Sequence, residues 1–408
     1  MRMNKKKEIV PKLRFPEFGT SEGWKKYKLR ELADRITKKV GNNKLVTLSI
    51  SAGTGFVSQA EKFSRDISGK QYCNYIYLKK GEFSYNKGNS KTFPQGCIYE
   101  LKEYEEAAVP NAFISFRFKE NLVPSFYQGY FDSNFHGKQL VRFITSGARS
   151  DGLLNISPTD FFSIVLPTPV KKEEQQKIAD CLSSIDELID AESRKLKALE
   201  KYKKGLMQKL FPAEGKTLPE WRFPEFSNGD GWTKASLSKI CIMQAGKFIK
   251  ASEISNEQKN NMYPCYGGNG LRGYTLTHNC SGDYPLIGRQ GALCGNVTFA
   301  TGDFYATEHA IVVTANQKID EKWLYYLLDY LQLNQYATGQ AQPGLSVQTL
   351  EKVTAFYPRD VEEQKKISNC LSEVDTMITE QSNKIEHLKA HKKGLMQGLF
   401  PSLKEADV

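Results

Sequence analysis

Two stretches of the chain carry a hydrophobic pattern that no loop or strand would show. Residues 173–212 read EEQQKIADCLSSIDELIDAESRKLKALEKYKKGLMQKLFP and residues 362–401 read EEQKKISNCLSEVDTMITEQSNKIEHLKAHKKGLMQGLFP. The two align without a gap. In the first, apolar positions fall at Ile178, Leu182, Ile185, Ile189, Leu196, Leu199, Leu206 and Leu210. In the second they fall at Ile367, Leu371, Val374, Ile378, Ile385, Leu388, Leu395 and Leu399. Steps of four and three alternate, which is the stripe of a coiled coil sustained over about five heptads. Two seam positions are polar in each copy, Glu192 and Lys203 in the first and Gln381 and Lys392 in the second.

The ends of both stretches agree with helices. Glu173, Glu174, Glu362 and Glu363 stand in the first turns, where carboxylates suit the helix dipole. Asp190 with Arg194 and Glu200 with Lys204 make favourable i,i+4 pairs. Pro212 and Pro401 close the helices. Each should be about 57 Å long at the standard rise. Two equal stripes in one chain should pack on each other, and the long connection between them permits a parallel or an antiparallel pair. In the antiparallel case Glu192 and Gln381 meet in one layer and fix the register at some cost in stability. Gly205 and Gly394 interrupt both helices at matching positions, which suggests close backbone approach there.

The segments outside the helices also begin alike. RFPEFGTSEGWKKYKL at residues 14–29 is echoed by RFPEFSNGDGWTKASL at 222–237. Their interiors differ. YCNYIYL, FISFRF, NVTFA and AIVVT read as strands, and residues 321–333 (EKWLYYLLDYLQL) read as a helix, with NLVPSFYQGYFDS as a possible counterpart. The organisation is globular, helix, globular, helix: an α/β (α+β) chain with a pseudo-two-fold internal repeat. The scaffold recurs while the interiors diverge, as expected of two like-shaped readers with different specificity.

Charge and chemistry narrow the partner. The 408 residues carry a net charge of +11, and a basic surplus favours a polyanion. Eight scattered cysteines include no CxxC pair, so buried free thiols in a reducing compartment are expected. A zinc site from Cys265, Cys280, Cys294 and His278 lacks the paired spacing of structural zinc modules. The basic N-terminus has no apolar core behind it, as a signal peptide would, and no apolar run suffices for a membrane span.

Enzyme motifs are incomplete. An adenine methyltransferase would carry an N/D-P-P-Y/F tetrapeptide, which the sequence lacks. The GKT at 215–217 has Leu210 where a P-loop places its first glycine. Gly268, Gly270 and Gly273 match GxGxxG, but YTLTHNCSGDY follows and is not helical, so a turn or a glycine-rich loop close to DNA is the better reading. Glu308-His309 before AIVVT has the residue types of an acid–base pair without an accompanying nucleophile or metal set.

The order of these parts resembles the specificity subunit of type I restriction-modification systems over nearly the full length. The resemblance rests on the alternation of globular parts and long helices, on a proline shortly before EEQQKI and EEQKKI, and on the KKGLMQ-x-LFP endings. YPCYGGNGLRGY, LIGRQGALCGNVTF and ATEHAIVV, and in the first part RDISGKQYCNYIYLKKGEFSYNKGNS, resemble stretches of such subunits' recognition domains. The resemblance implies two target-recognition domains, at 1–169 and 213–359, and two conserved spacer helices, at 170–212 and 360–408, packed antiparallel. It implies a non-catalytic, cytoplasmic subunit of prokaryotic type, without a cofactor of its own. Each domain would read one half of a gapped double-stranded DNA site. The helices would dock two modification subunits, which bind S-adenosylmethionine, and restriction subunits would join them. The rivals are a single-chain methyltransferase or nuclease, and a coiled-coil scaffold without DNA specificity.

Base readout uses Arg or Lys toward guanine and Asn or Gln toward adenine. Loops rich in these types give Tyr85, Asn86, Lys87, Asn89, Ser90, Lys91, Arg149 and Ser150 in the first domain. In the second they give Asn269, Arg272, Arg289, Gln290, Gln340 and Gln342. Arg149 and Arg289 rank first because neighbouring glycines permit close approach. Lys195, Lys197, Lys201, Lys204, Lys384, Lys389 and Lys393 either line spacer DNA or solvate the helix pair, with the second reading favoured.

Overall fold

The heptad stripes are realised as two helices of 39 residues, Lys172–Leu210 and Val361–Leu399. The computed structural model describes residues 9–88, 93–144, 154–291, 293–339 and 343–401. It forms two units, one of residues 1–191 with 385–408 and one of residues 192–384.

In the first unit an antiparallel sheet runs in the order Ala33–Arg35, Ile114–Phe118, Phe83–Asn86, Cys97–Glu100. Strand side chains alternate between faces. Phe83, Tyr85, Phe116 and Phe118 thus fall on one side and pack into a core with Phe126, Tyr127, Tyr130 and Phe131 of the helix Pro124–Asp132. Two small ribbons, Leu48–Ser51 with Gly55–Ser58 and Ile76–Lys79 with Glu106–Val109, share a second apolar cluster. The main core also takes Ile178 and Leu182 from the start of the first long helix and Met396, Leu399 and Phe400 from the end of the second.

The second unit has two four-stranded sheets. One is antiparallel in the order Cys241–Ala245, Ala310–Ala315, Tyr284–Gly288, Val297–Ala300. The other runs Gly270–Thr275, Tyr263–Gly267, Asp303–Ala306, Cys280–Ser281, with one parallel pairing at its centre. The helix Glu321–Tyr330 starts at Asp320, whose carboxylate accepts from the Trp323 amide at 2.8 Å. This core takes Met207, Leu210 and Phe211 from the end of the first long helix and Ile367 and Leu371 from the start of the second. In each unit the start of one helix meets the end of the other, so the pair is antiparallel.

The seam behaves as its period predicts. Ile178, Leu182, Ile185, Ile189, Leu196, Leu199, Ile367, Leu371, Val374, Ile378, Ile385 and Leu388 are all buried or half-buried. The polar positions pair across the seam. Gln381 Nε2 donates to Glu192 Oε2 at 2.6 Å, and Lys384 Nζ also reaches Glu192, holding its carboxyl below the usual range. Lys203 bridges to Asp375 at 2.7 Å and Lys392 to Asp186 at 2.6 Å, which are equivalent pairs of the repeat. Replacing both Glu192 and Gln381 with leucine is expected to raise the melting temperature by a few degrees, because an apolar layer is more stable than a polar one. A thermal melt followed by helical circular dichroism measures it; a clear drop would show that the layer stabilises the pair. Gly205 and Gly394 are a correction. A Cβ at either would meet no atom within 4 Å, so no close backbone approach explains them.

The recurring RFPEF stretch closes a clamp on each long helix. Arg14 donates from Nε and Nη2 to the Glu174 carboxylate, both at 2.8 Å, and Trp24 Nε1 donates to the same group at 3.0 Å. Arg222 repeats this on Glu363 at 2.7 and 2.8 Å, with Trp232 Nε1 at 3.1 Å. Both carboxylates are 1% exposed. The neighbouring glutamines are duplicated too. Gln175 accepts from the Val123 amide and donates to the Pro169 carbonyl. Gln364 accepts from the Asp320 amide and donates to the Pro358 carbonyl. Val123 and Asp320 precede the helices Pro124–Asp132 and Glu321–Tyr330, so each long helix fixes the helix start and the entry segment of one globular part.

Candidate nucleic-acid interface

In the first unit, alternation along Phe83–Asn86 turns Tyr85 inward. It is fully buried, its ring stacks on Phe161 at 4.7 Å, and its hydroxyl donates to the Gln95 carbonyl at 2.7 Å. Burial raises its phenol pKa. Tyr85 is therefore a core residue and is withdrawn as a base contact. Asn86 shapes the turn that follows: its Oδ1 accepts from the Gly88 amide at 2.9 Å and its Nδ2 donates to the Ile50 carbonyl. Lys87 is half-buried, and its carbonyl accepts from the Leu154 amide at 3.0 Å. That bond sets residue 87 beside residue 154, where the two candidate loops begin and end. Asn89, Ser90, Lys91, Arg149 and Ser150 lie outside the described residues.

The second unit gathers its candidates around a hairpin. Tyr263–Gly267 and Gly270–Thr275 pair antiparallel, so the GxGxxG glycines belong to a tight turn and the strand after it. Asn269 at the turn is exposed and its Oδ1 accepts from Asn296 Nδ2 at 3.2 Å. Arg272 is exposed on the second strand, with its stem against Gly267. It opposes the upward push that burial gives the Cys265 thiol. Gly288 has no room for a side chain, since a Cβ there would collide with the Gly268 carbonyl. This glycine contact brings the loop of Arg289 and Gln290 against the hairpin.

Two further loops join them. The Arg289 amide donates to the His309 carbonyl at 2.9 Å, and the Leu345 amide donates to the Arg289 carbonyl at 2.9 Å. Gln290 is exposed and bridges by its backbone to Gly344, which also pairs with Thr338. Gln340 and Gln342 lie outside the described residues, but the ends of their loop are thus fixed beside Gln290. Residues from four separate stretches therefore share one edge, where amide, guanidinium and carboxylate groups of base-reading types stand on backbone-anchored loops.

Sequence reasoning missed two parts of this edge. The turn Thr307–Ala310, closed by the Ala310 amide on the Thr307 carbonyl at 2.9 Å, carries Glu308 and His309, with His309 Nε2 3.2 Å from Glu308 Oε1. Lys247 is pinned to Ala306 and Thr307, and Phe248 beside it is 71% exposed. A lysine–aromatic pair after Gly246 was the available signal. Among the described residues no group of three or more His, Cys, Asp or Glu is placed to hold a metal ion, and no helix is long and apolar enough to cross a membrane.

Comparison with known proteins adds a family. The model of the type I restriction modification DNA specificity domain matches residues 21–201 and 229–390. A type I restriction enzyme EcoprrI specificity subunit of Escherichia coli is 44% identical over 36% of this chain and 38% of its own length. The MjaVIII specificity subunit of Methanocaldococcus jannaschii is 26% identical over 63% of this chain and 66% of its own length. The matched part thus spans less than two thirds of these curated relatives. The crystal structure of a type I restriction-modification S subunit from M. genitalium superposes with a TM-score of 0.65 at 18% identity, covering 97% of this chain and all of that one, and so shares the fold.

Proposed function

We propose that this chain, which belongs to the type I restriction modification DNA specificity domain family, is the DNA-reading subunit of a restriction-modification complex. Its two globular parts, 1–169 and 213–359, each read one half of a gapped double-stranded site, and the helices at 170–212 and 360–408 set the spacing. The observation that carries this reading is the pairing of duplicated clamps, Arg14–Glu174–Trp24 and Arg222–Glu363–Trp232, with loops that are not duplicated. A repeated scaffold under divergent loops suits two readers of different sequences.

On this reading the chain is not itself a catalyst. Two modification subunits, binding S-adenosylmethionine and methylating adenine, dock on the helices, and restriction subunits complete the assembly. Leu188, Tyr202 and Met377, exposed apolar residues of the helices at 42, 58 and 49%, supply contact area for such docking. Mapping methylated adenines in host DNA with and without the chain tests the proposal. A gapped two-part motif should appear only with it. Equal affinity of the assembled complex for all sequences would favour a scaffold without specificity. Methyltransferase activity of the purified chain alone would favour the single-chain enzyme.

Within that reading Arg289→Ala should relax or weaken recognition at one half-site. A bidentate arginine–guanine contact is worth about 1–3 kcal/mol of discrimination. Competition binding against half-site variants measures it; unchanged affinity, preference and salt dependence would remove Arg289 from the interface.

A further inference from the structure

We propose that Phe248 is a specificity-determining residue whose ring packs on the 5-methyl group of a thymine in one half-site. The inference rests on the reading of the second globular part as a half-site reader and gives that reading an apolar contact beside its polar ones. Phe248 stands in KFIK, with Lys247 and Lys250 exposed on either side. Its side chain is 71% exposed, and no large apolar side chain among the described residues is more so.

Backbone contacts build that exposure in. The Gly246 amide donates to the Ala310 carbonyl at 2.9 Å and the Lys247 amide to the Ala306 carbonyl at 3.0 Å. Gly246 lies so close to the Ala306 and Thr307 carbonyls that a Cβ would collide with both. The Phe248 carbonyl accepts from the Tyr305 hydroxyl at 3.1 Å, and the next residue, Ile249, is buried. The chain is therefore held on both sides of a ring that stays in water, where covering it would be favourable.

The same contacts place the ring at the candidate edge. Lys247 pairs in parallel with Thr307, so Phe248 runs alongside the Thr307–Ala310 turn. The His309 carbonyl of that turn accepts from the Arg289 amide. A Cβ at Gly267 would meet both the Arg272 stem and Thr307 Oγ1, which brings the strand of Arg272 to the same turn. Two lysines flanking the ring suit a phosphate backbone. The groove edges of base pairs offer one apolar group, the thymine methyl, and phenylalanine is among the side chains that contact it.

The test uses the complex assembled with its modification subunits, on the mapped site, with deoxyuridine replacing each thymine in turn. In the wild-type complex one replacement in one half-site should weaken binding about fourfold, the worth of one buried methyl group. Phe248→Ala should bind the mapped site more weakly by at least that factor, and thymine and uracil should become equivalent at that position. Phe248→Leu, still apolar, should keep part of the difference. Preference at the other half-site and affinity for unrelated DNA should be unchanged in both variants. Uracil tolerated in place of every thymine by the wild-type complex would overturn the proposal. So would a thymine preference that survives in Phe248→Ala, or half-sites without a thymine. A variant that sheds its modification subunits while keeping its DNA preference would make the ring a protein contact, and would overturn it too. A wild-type complex that discriminates at neither half-site would instead sink the functional reading beneath it.

Discussion

Replacing Arg222 with alanine should destabilise the second unit by about 3–5 kcal/mol, the usual cost of breaking a buried ion pair from one side. Glu363 is 1% exposed and Arg222 13%, so the pair is largely shielded from water. Without the guanidinium, the Trp232 indole remains the carboxylate's side-chain donor. The same arginine also donates to the Gly229 and Asp230 carbonyls, so the entry segment loses its anchor as well. Denaturant unfolding followed by tryptophan fluorescence measures the effect. Adding Glu363→Gln to Arg222→Ala should recover part of the loss by removing the stranded charge. A change under about 1 kcal/mol for the single variant would place the clamp among ordinary surface pairs.

The second large effect is expected at Phe211. Alanine there should cost about 3–5 kcal/mol, as for other buried aromatic truncations. Phe211 is fully buried, stacks on Tyr330 at 5.1 Å, and lies edge-on to Trp232 at 6.3 Å. It follows directly on the last turn of the first long helix and carries that helix end into the core of the second unit. Tyr202→Ala, about two and a half turns earlier and 58% exposed, should change stability by no more than about 0.5 kcal/mol. Urea unfolding of both variants makes the comparison, and equal effects would show that the helix end is not anchored by this ring.

The long helices were legible because a 3.5-residue period held over five heptads leaves few other interpretations. The Glu192–Gln381 layer followed from the same register. Glu174 and Glu363 were readable only as first-turn carboxylates, since their arginines lie 160 and 141 residues away in sequence. The recurrence of Arg with Gly-Trp at one spacing, and of Glu-Glu-Gln at the start of each long helix, was the signal, and it marked a clamp. At Tyr85 a loop-composition argument overrode a strand argument: FSYN alternates, and Phe83 and Tyr85 share its inner face. At Gly205 and Gly394 recurrence alone was given a packing meaning that the helix surface does not have. The edge of the second unit was partly legible, because glycines flank Arg289 and Asn269. The Thr307–Ala310 turn was not, because only tertiary contact brings it to that edge.

The division of the helices between the units has a consequence for the order of events at the ribosome. Residues 192–384 form one unbroken stretch, so the second unit holds all its core once that stretch has been made. The first unit, although its domain is synthesised earlier, lacks Met396, Leu399 and Phe400 until residues 396–400 have been made. Phe400 packs on Tyr130 at 4.5 Å and Gly398 accepts from the Leu13 amide at 2.9 Å, so residues near 400 close on segments made much earlier. Domains made first commonly fold first. Here the domain made first should finish last, and a released chain truncated after residue 395 should protect the second unit from protease while leaving the first one cleavable.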